Sequence, residues 1–143
     1  MNSDEMVRDN INTAASSEVG QLSESDEAML RNVVLAINSK IKVNCTGCAY
    51  CMPCPCNVDI PGTFAAYNRR YQEGKFWSFL DYIICTVLRK NSTAASNCIG
   101  CSKCEQHCPQ QIPVREKLQE ARRELEGPVY RVVRKVVRWF AKF

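Results

Sequence analysis

Two runs of cysteine constrain this chain more than anything else in it. The first is CTGCAYCMPCPC, residues 45–56, and the second is CIGCSKCEQHCPQ, residues 98–110. Each has three cysteines at every third position, a glycine before the second of them (Gly47, Gly100), and a further cysteine followed by proline (Cys54-Pro55, Cys108-Pro109). The first cysteines of the two runs are 53 residues apart, so the chain contains an internal repeat of two four-cysteine loops. No disulfide scaffold is expected from them. The N-terminus MNSDEMVRDN lacks the basic and apolar regions of a secretory signal, and thiols outside an oxidising compartment serve metals or catalysis more often than cross-links.

The second run, Cys98-x2-Cys101-x2-Cys104-x3-Cys108-Pro109, has the spacing that holds [4Fe–4S] cubes in bacterial two-cluster carriers, where three thiolates grip one cube and the fourth reaches the other. Three thiolates at such intervals let a tight loop wrap three corners of a cube. The proline restricts the preceding residue to an extended backbone and turns the chain away, which aims the fourth cysteine at a neighbour. Swapped ligation then predicts one cube on Cys45, Cys48, Cys51 and Cys108 and a second on Cys98, Cys101, Cys104 and Cys54. The first run is one residue shorter before its Cys-Pro, so Cys54 and Cys56 compete for the fourth place. Cys54 is favoured because it precedes proline as Cys108 does, and the choice stays open. Zinc is the competing metal, but zinc ribbons take cysteines in pairs and have no use for the triple. Cys85, within the apolar run IICTVL, reads as a small buried hydrophobe. His107, the one histidine, reads as a surface or supporting group, since eight well-spaced thiolates leave it no vacancy.

Hydrophobic periodicity around these loops is helical throughout. Residues 1–22 read as a polar segment and linker. Residues 23–127 read as a helical two-cluster domain, and 128–143 as a basic amphipathic helix. Ser23 is the expected N-cap of a helix with Met29, Leu30, Val33, Val34, Ile37 and Ile41 on one face. Phe64, Ala65, Tyr67, Asn68 and Tyr71 line the next helix. Phe76, Phe79, Leu80, Ile83, Ile84, Val87 and Leu88 line the one after it. Val114, Leu118, Ala121 and Leu125 mark another, stopped by Gly127-Pro128. No segment alternates with period two, so the expected fold is all-α. The two clusters join residues far apart in sequence and contribute much of its stability.

The words CTGCAYCMPCPCNVDIPGTFAAYN and CIGCSKCEQHCPQQIPVREKL resemble the C-terminal ferredoxin-like domain of iron–sulfur-containing aldo/keto reductases. CMPCP, VDIP, the Tyr67-Asn68 pair and CEQHCPQ are the specific pieces, and the segments MNSDEMVRDNINTAASS and LSESDEAML resemble the stretch just C-terminal to that family's barrel. The resemblance implies a helical ferredoxin-like domain with two [4Fe–4S] clusters, serving an NAD(P)-linked oxidoreductase in the cytoplasm. Where the family has a variable residue and glycine after its Cys-Pro, this chain has Cys56 and Asn57, and asparagine tolerates the left-handed backbone a turn there needs. A (β/α)8 barrel takes about 250 residues and does not fit in 143. No carbonyl reduction is therefore expected of this chain alone, and no catalytic residue is assigned. The chain starts where the family's barrel ends, which suggests the tail of a longer reading frame or a tail that stands alone.

The leading expectation is an electron-transfer module whose partner is a redox protein or a reductase barrel in cis. The alternative is a structural or binding module whose metal sites only hold the fold and whose last helix binds a partner or a membrane surface. Charge is uneven: residues 1–30 hold seven acids and one arginine, whereas 128–143 hold five basic residues, including Lys142, and no acid. Such a helix suits an anionic surface, but a terminal helix packed on the core with its basic face in water is favoured. No recognised motif accompanies the basic charge, so no nucleic-acid partner is expected.

Overall fold

In the computed structural model, which describes residues 2–141, every regular element is helical and no β-strand occurs among the described residues. The contacts within the chain separate it into two units, the first ending at Asn38 and the second starting at Ser39. The first unit holds α1 (Asp4–Ser16) and α2 (Glu24–Ser39). Ser3 caps α1, its Oγ accepting the Met6 N–H at 3.3 Å. Ser23 and Asp26 cap α2 reciprocally. The Asp26 N–H reaches Ser23 Oγ at 3.2 Å, and the Ser23 N–H reaches Asp26 Oδ2 at 3.1 Å, a capping box with Asp in place of the usual Glu. The expected apolar face of α2 exists as a helical stripe, but Met29, Leu30, Val33, Val34 and Ile37 are all exposed. The division also groups α2 with α1, whereas composition groups it with the cysteine loops.

The second unit carries α3 (Ile60–Gln72), α4 (Lys75–Thr86), a 3₁₀ turn (Ala95–Asn97), the short α5 (Lys103–Gln106), α6 (Val114–Leu125) and α7 (Pro128–Ala141). α3 packs on α4 and α6, while α6 also holds the 3₁₀ turn and α5, and α7 lies against α4. The core joins Val58, Ile60, Phe64, Ala66 and Tyr67 to Val114, Leu118, Ala121 and Leu125. The α6 residues are those the periodicity selects. In α3, however, Ala66 is buried and Ala65 exposed.

α4 departs further. Phe76, Ile84 and Leu88 stay exposed, and the buried row is Ser78, Tyr82 and Thr86 with Ile83 and Val87. Each buried hydroxyl finds a partner: Ser78 donates to the Ala66 carbonyl (2.7 Å), Tyr82 to the Glu126 carboxylate (2.7 Å), and Thr86 to the Tyr82 carbonyl. Satisfied hydroxyls can occupy a core that apolar side chains vacate. Apolar periodicity cannot find such a face.

Gly127-Pro128 ends α6 and starts α7 as expected, with proline in the first turn. Tyr130 of α7 is 1% exposed and its hydroxyl lies 3.0 Å from Thr86 Oγ1. Lys142 lies outside the described residues.

Candidate iron–sulfur centre

The two cysteine loops share one backbone design. Gly47 and Gly100, each just before the second cysteine, have φ of 71° and 76°, a left-handed conformation that suits glycine. Ala49 and Ser102, each just after it, are also left-handed at 62° and 63°. Each of these is bridged by the N–H three residues on: Met52 to the Ala49 carbonyl at 2.9 Å, Glu105 to Ser102 at 3.1 Å. Turns of this kind gather backbone N–H groups into concavities that receive anionic iron–sulfur centres. Repetition of the pattern makes the sequence repeat a structural one.

The repeat also bears on Cys54 and Cys56. Asn57 N–H bonds to the Cys54 carbonyl at 2.9 Å, and Gln111 N–H to the Cys108 carbonyl at 3.1 Å. Asn57 and Gln111 are both left-handed, at 56° and 51°. Cys54 therefore occupies the place of Cys108, and Asn57 adopts the conformation its side chain tolerates. Around its third cysteine, Cys104, the second loop forms α5, whereas the shorter first loop contains a cis Met52–Pro53 peptide between its third and fourth.

Other side chains strap the loops to the core. Asn68 Oδ1 accepts the N–H groups of Lys42 and Val43, both at 2.9 Å, and its Nδ2 donates to the Val43 carbonyl at 2.7 Å. One side chain of α3 thus fixes the strand of backbone that enters Cys45. Asp59 caps α3 through Gly62 N–H (2.9 Å) and ties its own N–H to the Thr93 carbonyl (2.9 Å). A Cβ at Gly62 would come within 2.5 Å of that carboxylate, so a side chain there would push the capping group aside. On the second loop Glu105 accepts from the Arg115 backbone N–H at 2.9 Å and from its Nε at 3.2 Å, joining α5 to α6.

Two cavities result. One is lined by Cys45, Cys48, Cys51 and Cys108, with Phe64, Ile112 and Val114 among its apolar walls. The other is lined by Cys54, Cys98, Cys101 and Cys104, with Cys56 and His107 at the same cavity. In each, the fourth cysteine of one run meets the first three of the other. Cys51 and Ile60 line both cavities, so the two adjoin. Burial raises the Cys45 thiol, and charge on Cys48 and Cys108 adds to the rise. Burial likewise raises Cys51, with Cys45, Cys48 and Cys108 adding. The Cys104 thiol is pushed up to about 11, first by burial and then by Glu105, Cys98 and Cys101. Metal binding must displace the protons of Cys45, Cys51 and Cys104 against these shifts. Cys85 lies outside both cavities and is half-buried against the core, not fully buried as expected, with its Sγ 3.5 Å from the Tyr82 carbonyl. His107 is exposed.

The donor set suits a cube better than a single ion. Zinc needs four sulfurs about 2.3 Å from one point, and among the described residues no group of three or more His, Cys, Asp or Glu side chains is arranged to hold a single metal ion. Four cysteines set around each cavity by runs of cube-binding spacing match the anionic cluster.

Residues 44–112 match the model of the family described as 4Fe-4S dicluster domain. Comparison with curated proteins and with solved structures found no match for the chain. The matched segment is an iron–sulfur, ferredoxin-like domain, and its cofactors are two [4Fe–4S] clusters. The protein is accordingly an iron–sulfur electron-transfer module. Among the described residues no helix is long and apolar enough to cross a membrane.

Sequence reasoning missed the Tyr82–Glu126 pair beside the second site. Glu126 Oε1 accepts from Tyr82 Oη (2.7 Å) and from Ser96 N–H (2.9 Å), and Tyr82 Oη accepts the Ala95 N–H (2.9 Å). The turn that leads into Cys98 hangs on this buried carboxylate. A glutamate just before Gly-Pro gives no sign of burial in sequence.

Proposed function

We propose that the two clusters are held by crossed ligation, one on Cys45, Cys48, Cys51 and Cys108 and the other on Cys98, Cys101, Cys104 and Cys54, with Cys56 a spare thiol. The observation that carries this reading is that the fourth cysteine of each run lines the cavity of the other run's triple. A bound [4Fe–4S] cube supplies one-electron transfer at a potential set by its surroundings. The four thiolates of each set would hold a cube, and Ile60 and Phe64 shield the first site from water. Cys48 and Cys101 are the exposed ligands, one at each site, so each site has its own edge for a donor or an acceptor.

The finer context is an NAD(P)-linked reductase of the aldo/keto reductase kind, which the module serves as a barrel in cis or as a separate protein. The cysteine words, VDIP and Tyr67-Asn68 support it. A cytoplasmic setting accords with ten free cysteines, which an oxidising compartment would tend to pair.

Iron and acid-labile sulfide should each reach about eight per chain after anaerobic reconstitution. Cys54→Ser and Cys108→Ser should each perturb one cluster, while Cys56→Ser should leave both intact. Full iron content in Cys54→Ser together with iron loss in Cys56→Ser would overturn the ligand assignment. The DNA upstream of the Met1 codon tests the barrel: an in-frame barrel places it in cis, and its absence leaves a separate partner.

A further inference from the structure

α7 has a wider apolar half than the core uses. Tyr130, Val133 and Val137 pack inward. The adjacent stripe of Val129, Val132, Val136, Trp139 and Phe140 is left between 48 and 74% exposed. The spacing keeps these five on one side of the helix, and the Trp139 and Phe140 rings meet edge to face at 4.6 Å near its end. On α7 itself every described charge is positive: Arg131, Lys135 and Arg138 are exposed, and Arg134 reaches Ser96 Oγ at 3.4 Å. No acid follows Glu126 in the sequence.

An apolar strip with cationic margins and an aromatic pair has the composition of a helix that lies in the plane of an anionic bilayer surface. At 14 residues α7 is too short to span the hydrocarbon, so it can only lie along it. A second copy of the chain suits the strip poorly, because pairing α7 with itself would bring like charges together. Lipid headgroups answer both halves of the surface, taking the valines and rings among the acyl chains and the guanidinium and ammonium groups at phosphate level. We propose that α7 docks the two-cluster domain on an anionic lipid surface through Val129, Val132, Val136, Trp139 and Phe140, with Arg131, Lys135 and Arg138 on the phosphates. Electrons would then be exchanged at the membrane face without any part of the module crossing it. This surface does not depend on which cysteines hold the clusters.

The test is co-sedimentation of the reconstituted full chain with vesicles of phosphatidylcholine alone and with roughly a third phosphatidylglycerol, following iron in the pellet. Binding should need the anionic lipid and weaken with salt. Lys135→Gln and Arg138→Gln should each weaken it about fivefold. The Val132→Asp/Val136→Asp variant should weaken it about a hundredfold or more. Both positions are exposed, so its iron content and helical signal should match the parent's. Equal pelleting with neutral and anionic vesicles, or undiminished binding by the aspartate variant, would overturn the proposal. So would a lipid-free dimer that the aspartate variant dissolves, since the stripe would then belong to a second copy.

Discussion

Replacing Tyr82 with phenylalanine tests the link between the core and the second cysteine loop. The ring is fully buried, as are Ala95 at 2% and Glu126 at 8% exposure. Losing one hydroxyl removes its bond to the Glu126 carboxylate and leaves the Ala95 N–H without an acceptor. A hydrogen bond to a charged group contributes about 1.5–3 kcal/mol, and an orphaned buried donor costs about 1–3 kcal/mol. The ring itself stays, so no cavity term enters. We expect a loss of about 3 kcal/mol, which at about 2 kcal/mol per molar urea lowers the unfolding midpoint by about 1.5 M. The assay is anaerobic urea unfolding of the reconstituted protein followed by helical circular dichroism. A chelator run in parallel should show the second cluster leaving first, because Ala95–Asn97 leads directly into Cys98. A midpoint within about 0.3 M of the parent's would refute the energetic reasoning. Equal release of both clusters would refute the local link to Cys98.

Asn68→Ala should free the backbone before Cys45 by removing three hydrogen bonds, costing about 2–4 kcal/mol and loosening the first cluster ahead of the second, as chelator release kinetics will show. Burial pushes the Cys85 thiol up to about 12 from its ordinary 9.0, so its contribution to stability is intact below about pH 9 and is lost as pH rises towards 12. Thermal midpoints at about pH 8 and about pH 10.5 should therefore fall less in Cys85→Ala than in the parent, and an equal fall would contradict this. Lys103 lines the second cavity. Lys103→Glu should lower the potential of that cluster by on the order of tens of millivolts, with the other cluster moved less, as redox titration followed by electron paramagnetic resonance will show.

Much of the site was legible because ligand chemistry is local. Three thiolates per loop and a proline-directed fourth can be read from spacing, and the glycines before Cys48 and Cys101 mark the left-handed turns. Helices with a strong apolar period were equally plain, α6 above all, since one face of Val114, Leu118, Ala121 and Leu125 has a single way to be buried. Periodicity misreads α4 because its sequence offers an apolar face broader than the core can take. Partners on Ala66, Glu126 and Tyr130 decided that Ser78, Tyr82 and Thr86 go inside.

The sequence by itself determined the loop repeat, the helical class and the kind of metal centre, because each depends on neighbours within a few residues. Only the tertiary structure decided that Asn68 and Glu126 hold the loops, that Ser78, Tyr82 and Thr86 go inside, and that half of α7's apolar surface faces water. Those outcomes depend on contacts between residues tens of positions apart, and the packing of α3, α4, α6 and α7 alone brings them together.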